Sequence, residues 1–229
     1  MAHSELVESL KGKLIVSVQA YPGEPMRHPE TMAQIARACE LGGAAAIRCQ
    51  GLSDISAIKG RVEIPVIGLW KEGHEGVYIT PTLRHARACI HAGADVVALD
   101  ATDRPRPDGR TFKETVAALR AESDVLIMAD CMTMDDIRRA VAAGCDLVST
   151  TLSHNKAAID TTLDDGPDIA LLKQATTEFP GIAIICEGHV HTPQDAKDAL
   201  DAGAWAVVSG TAITHPTSIT SWFAAALED

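Results

Sequence analysis

The chain has 229 residues, 46% hydrophobic and 3% aromatic, with a formal net charge of −11. That length holds one sizeable core, and no composition break or Pro/Gly/Ser linker divides it, so a single domain over residues 1–229 is expected. The acidic balance argues against blanket affinity for nucleic acid or anionic membranes, although backbone dipoles can still bind an anionic substrate locally. The opening segment MAHSELVESLKGK lacks the apolar centre of a signal peptide, and no apolar stretch reaches the roughly 18 residues of a membrane span. Six cysteines (Cys39, Cys49, Cys89, Cys131, Cys145 and Cys186) include no CxxC pair, and several sit in apolar runs or on helical faces. Cysteine used as a small hydrophobe fits a reducing cytoplasm.

Eight short apolar runs follow in chain order: LIVSV (14–18), AAAI (44–47), PVIGLW (65–70), DVVAL (95–99), VLIMA (125–129), DLVS (146–149), IAIIC (182–186) and AVV (206–208). Runs of this kind fit strands buried on both faces, as in a parallel sheet. Helical patterns separate them. Thr82 precedes LRHARACIHAG, Thr133 precedes MDDIRRAVAAG, and Thr192-Pro193 opens the next, each a helix-start signal. SITSWFAAALE would form the eighth helix, with Trp222 and Phe223 serving core or interface packing. LGGAAAIR, AGADVVALD, AGCDLVSTT and AGAWAVVSG share one design, in which glycine caps a helix and a strand follows at once. The first three recur about every 51 residues, roughly two βα units. Pro65, and Pro180 through Gly181, open two of the intervening strands. The pattern predicts a single (β/α)₈ TIM barrel, near the usual size of about 250 residues. The segments AYPGEPMRHPE, DATDRPRPDGRT and SHNKAAIDTTLDDGPD are longer than a barrel needs and are candidate walls and lids.

In such a barrel the C-terminal strand ends line the active site. The residues just past the runs are therefore candidates: Gln19, Arg48, Lys71, Asp100, Asp130, Thr150 with Thr151, Glu187 and Ser209. A lysine at a barrel mouth loses hydration, which lowers its pKa and suits it as a base or an imine former. Lys71 is that lysine. Glu187 can orient it or move a hydroxyl proton, or form a structural ion pair with Arg48 or Lys71. Arg48 can hold an anionic oxygen in bidentate fashion, or pair with Asp100 or Asp130 inside the barrel. Gly188 and the segment SGTAIT (209–214) lie where barrels often bind phosphate. A metal reading of HVH (189–191), with Asp130 and Cys131, is disfavoured, because no HExxH or spaced Cys/His set supports it.

LIVSVQAYPGEP, IRCQG, PVIGLWK, VYITPT, GADVVALDATDRPRPDG, MADCMT, STTLS, GPD, CEGHVHTP and GAWAVVSGTAIT together closely resemble the N-acetylmannosamine-6-phosphate 2-epimerase family, in the same order from about residue 10 onward. The resemblance implies a ribulose-phosphate-binding type of barrel, a homodimer, no metal and no other cofactor. It implies epimerisation of N-acetylmannosamine 6-phosphate to N-acetylglucosamine 6-phosphate in sialic-acid catabolism. By position it places the proton-transferring lysine on Lys71 and the catalytic glutamate on Glu187. Substrate contacts fall on Gln19, Arg48, Asp130, Gly188, Gly210 and Thr211. The chain departs from the family pattern at His189 and His215, where arginine is usual, and at Val18, Glu72-Gly73 and His154. Three other readings use the same residues: a Schiff-base lyase or aldolase acting through Lys71, a same-type epimerase with an altered or unphosphorylated acyl-hexosamine substrate, and a non-catalytic sugar-phosphate binder.

Overall fold

The structure, a computed structural model, describes residues 3–153 and 166–228. His154 and most of the long segment after the sixth run lie outside the described residues. Eight parallel strands close into a barrel in sequence order: β1 (Leu14–Val18), β2 (Ala46–Gln50), β3 (Val66–Leu69), β4 (Val96–Asp100), β5 (Leu126–Asp130), β6 (Leu147–Ser149), β7 (Ala183–Glu187) and β8 (Ala206–Ser209). Pairing of Ile15 with Val208 on β8 and with Ala46 on β2 completes the ring. This is the (β/α)₈ barrel that the runs predict.

Helices return between the strands: α2 (Pro29–Leu41), α3 (Leu52–Lys59), α4 (Leu83–His91), α5 (Phe112–Glu122), α6 (Met134–Ala142), α7 (Ile169–Glu178), α8 (Pro193–Asp201) and, after a short α9 (Thr211–Thr214), α10 (Pro216–Ala225). Thr82, Thr133 and Thr192 are N-caps, the last two in full capping boxes with Asp136 and Asp195. The four repeated glycines have φ of 100° (Gly43), 106° (Gly93), 79° (Gly144) and 101° (Gly203), the left-handed backbone that lets each helix stop and its strand begin. An additional helix, α1 (His3–Ser9), precedes the barrel. Its Leu6, with Leu10 just beyond, packs into the lower end of the interior, and Trp205 Nε1–H donates to Val7 O at 2.9 Å.

Strand periodicity divides the core into two layers. Ile15, Ala46, Ile67, Val96, Met128, Ile185 and Val208 fill the barrel interior. Val16, Ile47, Val97, Ile127, Ile184 and Val207 pack outward against the helices. The second strand is the clearest departure from the sequence expectation. It begins two residues later than the AAAI run and carries Arg48 within it rather than past it. A charged residue looks like a strand end in sequence, but two carboxylates inside the barrel permit it here.

Candidate active site

Alternation along the strands decides which polar groups face the barrel axis. Counting on by twos from the interior residues Ile15, Ala46, Leu69, Ala98, Met128, Leu147, Ile185 and Val208 reaches Ser17, Arg48, Lys71, Asp100, Asp130, Ser149, Glu187 and Gly210. The upper interior is thus a polar storey on an apolar one. Two of the expected strand-end residues fall on the opposite parity. Ser209 donates through Oγ to Val190 O at 2.9 Å, and Thr150 exchanges hydrogen bonds with the backbone of Glu187 at 3.0 and 3.1 Å. Ser209 supports the β7 loop instead of facing the cavity.

A cavity of about 230 Å³ opens above this storey. Gln19, Arg48, Lys71, Glu187, Gly188, Gly210 and Thr211 all line it. Asp130 does not; it is fully buried behind Arg48. Ser17, Tyr21, Tyr78, Ile79, Thr151 and Leu152 also line the cavity. Tyr21 and Tyr78 are the only tyrosines in the chain, and that scarcity was a usable signal in a sequence so poor in aromatics. Gly210 has a steric reason to be glycine, since a Cβ there would sit 3.1 Å from Ser17 Cβ.

Arg48 ties the polar storey together. Its Nη2 donates to Asp130 Oδ2 and its Nη1 to Glu187 Oε2, both at 2.7 Å. Asp100, the other expected partner, instead pairs with Arg104 at 2.7 Å. Thr151 Oγ1 lies 2.9 Å from Asp130 Oδ1 and 3.0 Å from Glu187 Oε2, and Ser149 Oγ approaches the same glutamate oxygen at 3.4 Å. Burial works against the Arg48 charge, but Asp130 and Glu187 outweigh it and hold the guanidinium above its ordinary value. Burial pushes the Asp130 carboxyl up to about 7, with Arg48 opposing and Glu187 adding to the push.

Lys71 follows β3 by two residues and Glu187 ends β7, four strands away in a ring of eight, so they face each other across the cavity. Lys71 Nζ donates to Gln19 Oε1 at 2.7 Å, Gln19 Nε2 donates to Ser17 Oγ at 2.7 Å, and the ammonium lies 5.6 Å from the Tyr21 ring centre. Burial lowers the Lys71 pKa to about 8; Arg48 adds to the shift, and Glu187 and Asp130 oppose it. About a tenth of this lysine is a free base at pH 7, far more than of an ordinary surface lysine.

Three histidines line the mouth. His189 has φ +56°, and this bend brings its ring to 5.6 Å from that of His191, which packs on Trp222 at 5.0 Å. Among the described residues, no group of three or more His, Cys, Asp and Glu side chains could hold a metal ion. His215 caps α10, accepting from Ser218 N–H through Nδ1 at 3.3 Å, and its Nε2 meets Glu24 Oε1. Glu24 also accepts from Tyr21 N–H at 2.8 Å, so the segment after β1 is tied to α10 across the mouth. The segment 209–214 is less open than expected: Ile213 and Thr214 N–H both donate to Gly210 O at 2.9 Å as α9 forms.

The family model described as "Putative N-acetylmannosamine-6-phosphate epimerase" matches residues 32–229. The chain belongs to the N-acetylmannosamine-6-phosphate 2-epimerase family. A relative from Cutibacterium acnes, named "Putative N-acetylmannosamine-6-phosphate 2-epimerase", is 57% identical over 97% of this chain and 96% of its own. One of the same name from Corynebacterium glutamicum is 48% identical over 98% and 97%. Among solved structures, the N-acetylmannosamine-6-phosphate 2-epimerase from Clostridium perfringens superposes with a TM-score of 0.88 at 38% identity, covering 96% of each chain. A thiamine phosphate pyrophosphorylase from Pyrococcus furiosus shares the fold alone, with a TM-score of 0.61 at 14% identity over 94% and 93% of the two chains. The polar storey described above is thus the candidate active site of a 2-epimerase family member.

Proposed function

We propose that this protein interconverts N-acetylmannosamine 6-phosphate and N-acetylglucosamine 6-phosphate by moving the proton on C2, in the breakdown of sialic acid. The observation that carries the reading is a lysine with a pKa near 8 on one wall of the cavity, facing the Glu187–Arg48–Asp130 cluster on the other. The C2 proton is acidic only when C1 is a carbonyl, so the sugar ring opens first. Glu187 assists that step by taking the O1 proton and passing it to the ring oxygen, which restores the carboxylate. The neutral Lys71 amine then removes the C2 proton, becoming an ammonium and leaving an enolate whose charge rests on O1. Arg48 and Thr151, on the O1 side, supply donors that matter most once that charge has formed. The enolate turns about C2–C3, and the ammonium returns the proton to the other face, inverting C2.

Gln19 orients the amine and contacts the acetamido group, with Asp130 acting through Arg48. Gly188, Gly210 and Thr211 take the phosphate at the β7 and β8 ends, where the missing side chains allow close backbone approach. The whole activity sits in one domain. Six free cysteines, five of them buried, support a cytoplasmic location. The exposed Ile213, Phe223 and Leu227 on and beside α9 and α10 support a homodimer.

The test is epimerisation followed by NMR on phosphorylated and unphosphorylated N-acetylmannosamine, with wild type and Lys71→Ala. Turnover by wild type only, and faster on the phosphorylated sugar, is the expected result. Absence of turnover of either sugar by wild type would remove the reading. The lowered lysine pKa also suits imine formation, and a borohydride-trapped adduct on Lys71 would favour a Schiff-base lyase instead.

A further inference from the structure

Among the described residues, two other than glycine have positive φ: His189 and Thr80. Thr80 is the stranger. It is β-branched, fully buried and at φ +47°, and it precedes Pro81, whose ring pushes the preceding residue towards extended backbone. Left-handed backbone at such a residue persists only where its surroundings over-determine it.

Those surroundings belong to Lys71. The Thr80 N–H donates to Trp70 O at 2.9 Å, and the Trp70 N–H donates to Thr80 Oγ1 at 3.1 Å. Next along, Lys71 forms an antiparallel bridge with Ile79, and Glu72 N–H donates to Tyr78 O at 3.0 Å. β3 ends at Leu69, so it is the returning segment 78–80 that pairs with the chain around Lys71. The segment is anchored in turn: Ile79 O accepts from Asp100 N–H at 3.1 Å, and Pro81 O accepts from Arg106 Nη1 at 3.3 Å. The left-handed turn lets one residue satisfy both backbone polar groups of Trp70, with its own N–H and its hydroxyl.

We propose that Thr80 is a positioning residue for Lys71: its strained backbone and buried hydroxyl fix the chain from which the amine reaches the substrate. A long side chain is aimed only as well as its backbone is held, and a misplacement of about 1 Å can cost a hundredfold in rate. The inference rests on Lys71 being the base of the proposed reaction.

Three variants test it, with kcat, KM, the pH profile and thermal melting measured for each. Thr80→Ser keeps the hydroxyl and should hold kcat within about threefold of wild type. Thr80→Val keeps the shape but removes the bond to Trp70 N–H, and kcat should fall by about 30-fold or more with KM nearly unchanged. Thr80→Gly relieves the strain; it should melt no lower than Thr80→Val yet lose kcat in the same way. In both impaired variants the limb of the pH profile near 8 should move upward as the amine gains water. Wild-type kcat in Thr80→Gly or Thr80→Val would overturn the proposal, as would a loss of kcat that merely tracks loss of fold. Lys71→Ala in the same assay separates the claims. Activity there removes the role of Lys71 and of Thr80 together, whereas an inactive Lys71→Ala beside a fully active Thr80→Val removes the role of Thr80 alone.

Discussion

A base must be both basic and deprotonated, and Lys71 meets that condition through opposed influences. Burial and the Arg48 guanidinium drive it down to about 8, while Glu187 and Asp130 hold it from falling further. The sign of the pH dependence follows. Below about 8 the amine is mostly ammonium, and kcat/KM, which reports the free enzyme, should fall about tenfold per pH unit. Above that value the rate should level off. Steady-state rates from pH 6 to 9 check this, and a flat profile across the range would show that Lys71 does not set the reactive protonation state. Arg48 illustrates the converse case. It is among the most deeply buried side chains, and removing one partner of such a pair typically costs about 3–5 kcal/mol. Its cost is offset by the two carboxylates at its Nη groups, which Thr151 contacts in turn, while its Nε–H is buried without a partner.

The strands and their caps were largely legible in the sequence, because buried apolar runs and glycine stops are local signals. Gly43, Gly93, Gly144 and Gly203 mark four helix-to-strand passages, and the threonine N-caps mark three helix starts. Parity was legible too, since counting by twos separates the inward Glu187 from the outward Ser209. Other features depend on backbone bends and long-range pairing, which no local pattern records. Arg48 looked like a strand end because its partners are 82 and 139 residues away. The left-handed bends at His189 and Thr80 are likewise invisible in composition. Thr80 carries a strain of the order of 1–3 kcal/mol, yet its segment was not among those singled out as long. Gly68 gives the element scale its own test. It faces outward on β3, where a Cβ would meet Ala94 Cβ at 2.7 Å and Ile55 Cδ1 at 2.9 Å. Gly68→Ala should therefore destabilise the fold by about 1–3 kcal/mol in urea unfolding, by displacing α3 at Ile55 and the turn between α4 and β4 at Ala94. An unchanged midpoint would mean that this layer is looser than it looks.

At the scale of the whole molecule, the barrel puts its reactive groups at one end and its plug at the other. Leu6 of α1 and Leu10 just after it fill the lower interior, while the upper interior is left polar and open to substrate. The link from Glu24 to His215 closes the mouth between the first loop and α10, the helix that also exposes Phe223. If α10 forms the homodimer proposed here, sedimentation should report twice the 24.2 kDa chain mass, and Phe223→Glu should shift the protein towards monomer. A wild-type monomer at micromolar concentration would remove the dimer and leave the site untouched. The step on which the proposed reaction turns is passage of the C2 proton through Lys71. Its most direct test is turnover of N-acetylmannosamine 6-phosphate in heavy water, with NMR at C2 of the product. Wild type should place deuterium at C2 of N-acetylglucosamine 6-phosphate, and Lys71→Ala should place none. Product that keeps its original protium at C2 throughout turnover, or a Lys71→Ala variant that still incorporates deuterium at the wild-type rate, would contradict it.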